Sequence, residues 1–68
     1  MQTMNFWVMV HRLVQYGDYG RRTSWSNKRI SMEKVGEDHT MIFETISGET
    51  GLYIPTKEDI KATDWFEG

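Results

Sequence analysis

The sequence contains no cysteine and only one proline among its 68 residues. Without cysteine the chain forms no disulfide framework and no thiolate metal site, and nothing in it indicates an oxidising compartment. No apolar run approaches the ~20 residues that a membrane-spanning helix needs, so we expect no membrane partner. Residues 1–13 lack a basic amino-terminal region and a small-residue cleavage site, so we expect no signal peptide.

Length and charge limit the fold and the class of partner. A chain of 68 residues is expected to form a single domain over residues 1–68, with a core that contributes at most about 3–5 kcal/mol. Its net charge of −2 is unlike the basic domains that bind nucleic acid, so we expect no nucleic-acid polymer as partner. Basic residues are concentrated from 12 to 29 and acidic residues from 33 to 49. This asymmetry suits a polar ligand site, a self-complementary contact between copies, or a mixed solvated surface.

An amphipathic helix is predicted over residues 5–15, where apolar side chains recur at three- and four-residue spacing along one stripe. Thr3 or Asn5 is a suitable N-cap, and Gly17 is a suitable stop after the last turn. Trp7 and Val8 fall outside the stripe, which suggests contact with a second subunit. The β-branched valines of this segment also permit a strand.

Extended segments follow the helix, each bounded by turn-forming residues, at 19–25, 29–35, 40–46 and 52–54. The segment 40–46 has apolar side chains on both faces, which suggests a sheet covered by the helix on one side and by a partner on the other. A short helix over 57–62 is predicted to begin at Thr56, with Asp59 completing a capping box. Residues 64–66 form either a terminal strand or an extended tail. We therefore predict an α+β fold: an N-terminal helix packed on a small antiparallel sheet of about four strands, with a short second helix near the C-terminus.

Groups suited to catalysis are sparse in this sequence. His11 and His39 are the only side chains that titrate near neutrality, and they lie in different elements with no nucleophile between them. Asp59 and Asp64 have neither a histidine nor a ligand-rich loop nearby in the sequence to complete a metal site. We therefore expect no enzyme activity, no catalytic residue, no metal and no cofactor.

A binding motif is better supported by residues 21–27, which contain two guanidiniums, an indole, an amide and three hydroxyls. Guanidinium groups match phosphate oxygens in a bidentate way, and an indole face stacks on a base for about 1–3 kcal/mol. In an extended strand Arg21 and Trp25 share one face, and Arg22 lies on the other. The same spacing fits a core tryptophan flanked by solubilising arginines, and both interpretations stay open at this point.

Two blocks of the chain resemble a family of phage proteins. The first block combines a Met-Asn-Phe helix start at residues 4–6, Gly17, and an Arg-x-x-Trp-Ser-Asn segment at residues 22–27. The second block, residues 53–65, reads Tyr-Ile-Pro-Thr-Lys-Glu-Asp-Ile-Lys-Ala-Thr-Asp-Trp. It is similar to the Trp-x-Pro-Ser-x-x-Asp-x-x-Ala-x-Asp-Trp ending of the second family of Thoeris anti-defence proteins. The chain departs from the family in Tyr53, in Thr56 and in a shorter middle segment.

The resemblance implies a non-enzymatic protein in the cytoplasm of the infected bacterial host, where it binds and sequesters a cyclic nucleotide immune signal. The implied ligands are cyclic ADP-ribose isomers, or cyclic di- or oligonucleotides, held in pockets of a homo-oligomer that is a tetramer or a dimer. Because the middle segment is shorter than in the family, the resemblance is a weaker guide to the identity of the ligand than to the fold. The alternative is a small phage protein that inhibits a host protein by direct binding.

The resemblance also implies a set of ligand-binding residues: Arg21, Arg22, Trp25, Asn27, Tyr53 and Asp64. In this set Trp25 would stack on a base, Arg22 would face phosphate, and Asn27 would bond a base or a ribose. Tyr53 would line the pocket, and Asp64 would accept from a ribose hydroxyl or a base amine.

Overall fold

The computed structural model describes residues 2–68 and has an α+β fold. In chain order its elements are α1 (Phe6–Tyr16), β1 (Gly20–Arg22), β2 (Lys28–Val35), β3 (His39–Ile46), β4 (Glu49–Leu52), α2 (Lys57–Lys61) and β5 (Trp65–Glu67). All strand pairs are antiparallel, and the sheet order is β4-β3-β2-β1-β5. The predicted fold class is confirmed, with the carboxyl-terminal segment as a fifth strand.

Local sequence signals define α1. The side chain of Asn5 accepts a hydrogen bond from the backbone N–H three residues on, and Gly17 adopts a left-handed φ of 74°. Glycine takes this conformation without steric cost, so the Gly17 N–H can bond to the Leu13 carbonyl and end the helix. Of the apolar residues spaced along the predicted stripe, Phe6, Met9 and Leu13 are buried, whereas Val14 is exposed. Trp7 and Val8 lie off that stripe and are exposed, as the spacing predicts.

The core lies between α1 and the β1 side of the sheet. Trp65 is fully buried there, and its indole N–H donates a 2.9 Å hydrogen bond to the backbone carbonyl of Asp59. At Gly20 the helix crosses so closely that a Cβ on this residue would lie 2.5 Å from the Met9 sulfur. The remaining core residues are Phe6, Leu13, Ile30 and Tyr53.

Two predicted strands have other bounds in the structure. The segment 19–25 is extended only as far as Arg22, and Thr23 and Ser24 then form a turn. The strand expected at 52–54 lies at Glu49–Leu52, so Tyr53 follows the strand and turns into the core. Thr56 is the N-cap of the second helix as predicted, and its hydroxyl accepts from the backbone N–H of Asp59; the helix ends at Lys61, one residue before the predicted end.

The sheet has two unlike faces. Side chains alternate between faces along a strand, and Ile30, Met32 and Ile42 pack towards the α1 core. We call that side the core face. The opposite side, which we call the open face, carries the alternating residues Arg21, Arg29, Ser31, Glu33, Met41, Phe43, Thr45, Thr50, Leu52 and Phe66. Within residues 2–68, no helix is both long and apolar enough to cross a membrane.

Candidate anion-binding site

The structure divides the six predicted ligand-binding residues into two groups on opposite sides of the sheet. Arg22, Trp25, Tyr53 and Asp64 lie on the core side, where each contacts other parts of the fold. Arg21 and Asn27 instead line a groove at the open face. The six residues therefore do not form one pocket within a single chain.

Arg22 is held by two carboxylates. Its Nε donates to Asp64 at 2.9 Å, and its Nη1 donates to Asp59 at 3.4 Å. The hydroxyl of Thr23 donates to the other Asp64 oxygen at 2.8 Å. The hydrogen bond from Arg22 lowers the pKa of Asp64, and the same bond raises the pKa of Arg22. Arg22 and Asp64, which were both predicted to contact the ligand, are therefore bonded to each other. Together with Asp59 they join β1 to α2 and to the residue before β5.

Tyr53 and Asp59 form a buried pair. The tyrosine hydroxyl donates to Asp59 Oδ2 at 2.7 Å, and the two residues are only 5% and 6% exposed. Burial, and then the bond to Asp59, raises the pKa of Tyr53 well above its ordinary value. The Asp59 carboxylate therefore accepts hydrogen bonds from Tyr53 and Arg22. The capping-box bond that was predicted from the backbone N–H of Thr56 to the Asp59 side chain is not among the hydrogen bonds of residues 2–68.

Trp25 is partly buried against the core. Its ring centroid lies 5.0 Å from that of Trp65 and 6.5 Å from that of Tyr53, both in edge-on geometry. The Nζ of Lys28 lies 4.4 Å from the Trp25 centroid, which is a cation–π contact. These contacts favour the structural interpretation of this indole, which the sequence left open, over the stacking of a ligand base.

The groove at the open face has a volume of about 270 Å³. Its lining contains two arginine side chains and no carboxylate, and consists of Arg21, Ser26, Asn27, Lys28, Arg29, Thr45, Ser47 and Gly48; the ammonium of Lys28 itself lies over Trp25 on the core side. One end is ordered by Asn27, whose Nδ2 donates to the Ser47 hydroxyl at 2.8 Å, while the Ser47 N–H donates to the Asn27 carbonyl at 3.0 Å. Ser47 and Gly48 both have positive φ, the conformation of a tight two-residue hairpin turn.

The strand register places two arginines side by side in this groove. Gly20 pairs with Ile30 across antiparallel strands, so Arg21 lies beside Arg29. Like charges in directly opposed positions destabilise a sheet, and a bound anion relieves that repulsion. The two arginines lie in one row that crosses all five strands in the order Phe66, Arg21, Arg29, Thr45 and Thr50.

Both guanidiniums are oriented by aromatic rings. The Cζ of Arg21 lies 5.1 Å from the centre of the Phe66 ring, and that of Arg29 lies 3.9 Å from the centre of the Tyr19 ring. Among residues 2–68 neither arginine forms an ion pair. The Nε of Arg21 is buried and has no acceptor in this part of the chain. A buried donor without a partner is costly to the fold.

Thr45 and Ser47 were missed by reasoning from the sequence, because they are distant from residues 21–27 in the chain, and Arg29 was missed although it lies only two residues beyond Asn27. The signal that identifies them is the turn at 36–38. Because Val35 pairs with His39 across it, the register brings Arg29 opposite Thr45. His39 begins β3 at the end of that turn.

The groove offers hydrogen-bond donors and positive charge, which is the chemistry of anion binding. Within residues 2–68, no group of three His, Cys, Asp or Glu side chains is placed to hold a metal ion. No protein-family model matches the chain, and no curated protein matches it at a significant level.

Proposed function

We propose that this protein binds a cyclic nucleotide immune signal and sequesters it without cleaving it, with the ligand phosphate held between Arg21 and Arg29. The observation that carries the proposal is this pair of arginines at neighbouring positions of a groove without a carboxylate. Each guanidinium presents a planar fork of donors that matches phosphate oxygens. The buried Nε of Arg21 supplies a donor in need of an acceptor.

The size of the groove supports a site shared between copies of the chain. Pockets for small molecules usually enclose about 300–1,000 Å³, and the groove measures about 270 Å³. The open face beside it carries apolar side chains, including Met41 and Leu52, which are exposed in a single chain. A homo-oligomer, either a dimer or a tetramer, would cover these side chains and add a second wall to the groove.

Sequestration needs only equilibrium binding, and the groove lining fits that requirement. Its polar side chains carry guanidinium, hydroxyl and amide groups. Both histidines lie elsewhere, His11 on the exposed side of α1 and His39 at the start of β3. By the resemblance of its two sequence blocks, the protein would act in the cytoplasm of an infected bacterial host, against a signal made by the host's immune enzymes.

Ligand retention tests this proposal directly. Purified protein is incubated with cyclic ADP-ribose isomers and cyclic dinucleotides, free ligand is removed, and the protein is heated before chromatography of the released material. We expect intact ligand to be recovered only after heating. Recovery of a cleaved product would instead indicate an enzyme.

Matched variants locate the binding site. Arg21→Ala and Arg29→Ala each remove charge-assisted hydrogen bonds, and we expect each to weaken binding at least about tenfold. Lys57→Ala removes the same charge from an exposed position on α2 and serves as the control. Equal effects of all three variants would contradict a site between the two arginines.

A second candidate function is the direct inhibition of a host protein, which the outer surface of α1 favours. Trp7 is 65% exposed, and Val8 and Val14 are exposed on the same helix. Co-purification of one host protein with the wild-type chain, lost in Trp7→Ala, together with no retained nucleotide, would support this candidate over the first.

A further inference from the structure

We infer that the open face also contains a base subsite, in which Phe43 stacks on the base of the bound nucleotide and Glu33 selects guanine. This inference rests on the proposed phosphate site between Arg21 and Arg29. It names the chemical class of nucleotide that this site prefers.

The sheet register places Phe43 one row away from the arginines. Arg29 pairs with Thr45, and the neighbouring row on the same face pairs Ser31 with Phe43 and Phe43 with Leu52. Successive residues on one face of a strand are two positions apart, or about 6.6 Å. This spacing suits the separation between the phosphate and the base of one nucleotide.

Phe43 belongs to the open face and is only partly buried. It is absent from the core cluster formed by α1 and the other side of the sheet within residues 2–68. Leu52 lies directly across from it, and Met41 lies two residues before it on β3; both are exposed. Together these three side chains form an apolar floor with an aromatic ring, the surface on which a nucleobase stacks.

Along the open face of β2 the side chains Arg29, Ser31 and Glu33 follow one another, as a cation, a hydroxyl and a carboxylate. This order matches the phosphate, the ribose and the edge of the base in a nucleotide. Glu33 pairs with Met41 in the row beyond Phe43, is exposed, and forms no ion pair among residues 2–68. Its carboxylate is therefore available to a ligand.

The chemistry of a carboxylate distinguishes guanine from adenine. An ionised carboxylate only accepts hydrogen bonds, and the N1–H and N2 amine of guanine offer two adjacent donors. Adenine has an acceptor at N1, which the carboxylate repels. Hypoxanthine keeps the N1–H and lacks the amine, so it offers one donor to Glu33.

Calorimetric titration of the purified protein with cyclic di-GMP, cyclic di-IMP and cyclic di-AMP tests the subsite. We expect cyclic di-GMP to bind about tenfold more tightly than cyclic di-AMP, with cyclic di-IMP between them. Glu33→Gln should reduce the preference to about threefold or less, because an amide replaces one acceptor by a donor. Glu37→Gln, in the exposed turn after β2, is the matched control and should keep the preference.

Phe43→Leu tests the stacking contact, and thermal unfolding of the same variant separates binding from folding. We expect weaker binding of all three ligands, with a melting temperature close to that of the wild type. Equal affinity for the three ligands in the wild-type protein, or an unchanged preference in Glu33→Gln, would overturn the base subsite. If Arg29→Ala still weakens binding in that case, the phosphate site stands alone. Failure to bind any cyclic nucleotide, cyclic ADP-ribose included, would overturn both proposals.

Discussion

Arg21 and Arg22 are adjacent in the chain, yet their guanidiniums lie on opposite faces of the sheet. Arg22 bonds to Asp64 at 2.9 Å on the core side, whereas Arg21 packs over Phe66 in the groove at the open face. The cause is the two-residue alternation of a strand. One arginine consequently stabilises the fold, and the other is available to a ligand.

Substitution of each arginine should therefore have a different effect. Arg22→Ala leaves the Asp59 carboxylate without its cation and should lower the free energy of unfolding by about 1–3 kcal/mol, with little change in nucleotide affinity. Arg21→Ala should leave stability within about 0.5 kcal/mol and weaken binding. Urea unfolding and calorimetric titration of both variants measure the two quantities. If Arg22→Ala proved stable but unable to bind, the assignment would be reversed.

The Trp25 indole supports the core, so Trp25→Ala should act on folding. Replacing a fully buried tryptophan by alanine costs about 3–5 kcal/mol, and for this partly buried ring we expect about 2 kcal/mol. The near-ultraviolet circular dichroism of Trp25→Ala should disappear at a lower urea concentration than that of the wild type, which would measure this loss of stability. Trp25→Phe keeps an aromatic ring against Trp65 and should recover most of the stability. Normal stability of Trp25→Ala with complete loss of ligand would instead favour the stacking role.

The buried bond from Tyr53 to Asp59 should make the fold sensitive to alkali. The pKa of Tyr53 is raised in the folded protein, so the unfolded chain releases this proton first, near the ordinary value of 10.0. The contribution to stability is therefore present below that pH and is lost as the pH rises above it. In Tyr53→Phe the decline in unfolding free energy from about pH 9 to 11 should be shallower than in the wild type. Equal slopes in the two proteins would contradict this assignment.

Asp64 should contribute a sensitivity to acid. Its pKa is lowered in the folded protein, mainly by the hydrogen bond from Arg22, so its contribution is present above the ordinary value of 3.8. That contribution is lost as the pH falls below this value towards the folded pKa. Asp64→Asn should be less stable than the wild type near neutrality, and the difference should shrink by about pH 2. Urea unfolding at both pH values measures it, and a constant difference would argue against the ion pair.

The local elements of this fold follow from short stretches of sequence. Asn5 and Gly17 bound α1, and Thr56 starts α2, because capping depends on residues within one turn of the helix. The turn at 36–38 likewise marks the hairpin of β2 and β3, whereas the strand after the turn at 47–48 lies at Glu49–Leu52 and not at the expected 52–54. The α+β class and the buried stripe of α1 were predictable for the same reason.

The site depends on contacts that no local pattern specifies. Tyr53 was predicted as a wall of the ligand pocket, but it turns into the core to reach Asp59, a residue that the sequence suggested only as a helix cap. Local chemistry does not reveal which partner a side chain will find across the fold. Residues 21–27 therefore looked like one motif, although the end of β1 at Arg22 assigns Arg21 and Trp25 to different environments.

Capping residues, turn residues and apolar spacing were thus sufficient to define the helices, the hairpin of β2 and β3, and the class of fold, because each acts over a few neighbouring positions. Only the folded chain decided which cations remain unpaired. Strand register aligned Arg21 with Arg29 on one face, and packing brought Asp59 and Asp64 to Arg22 on the other. The physical reason is that ion pairing and burial depend on distances in space between residues that are far apart in the sequence.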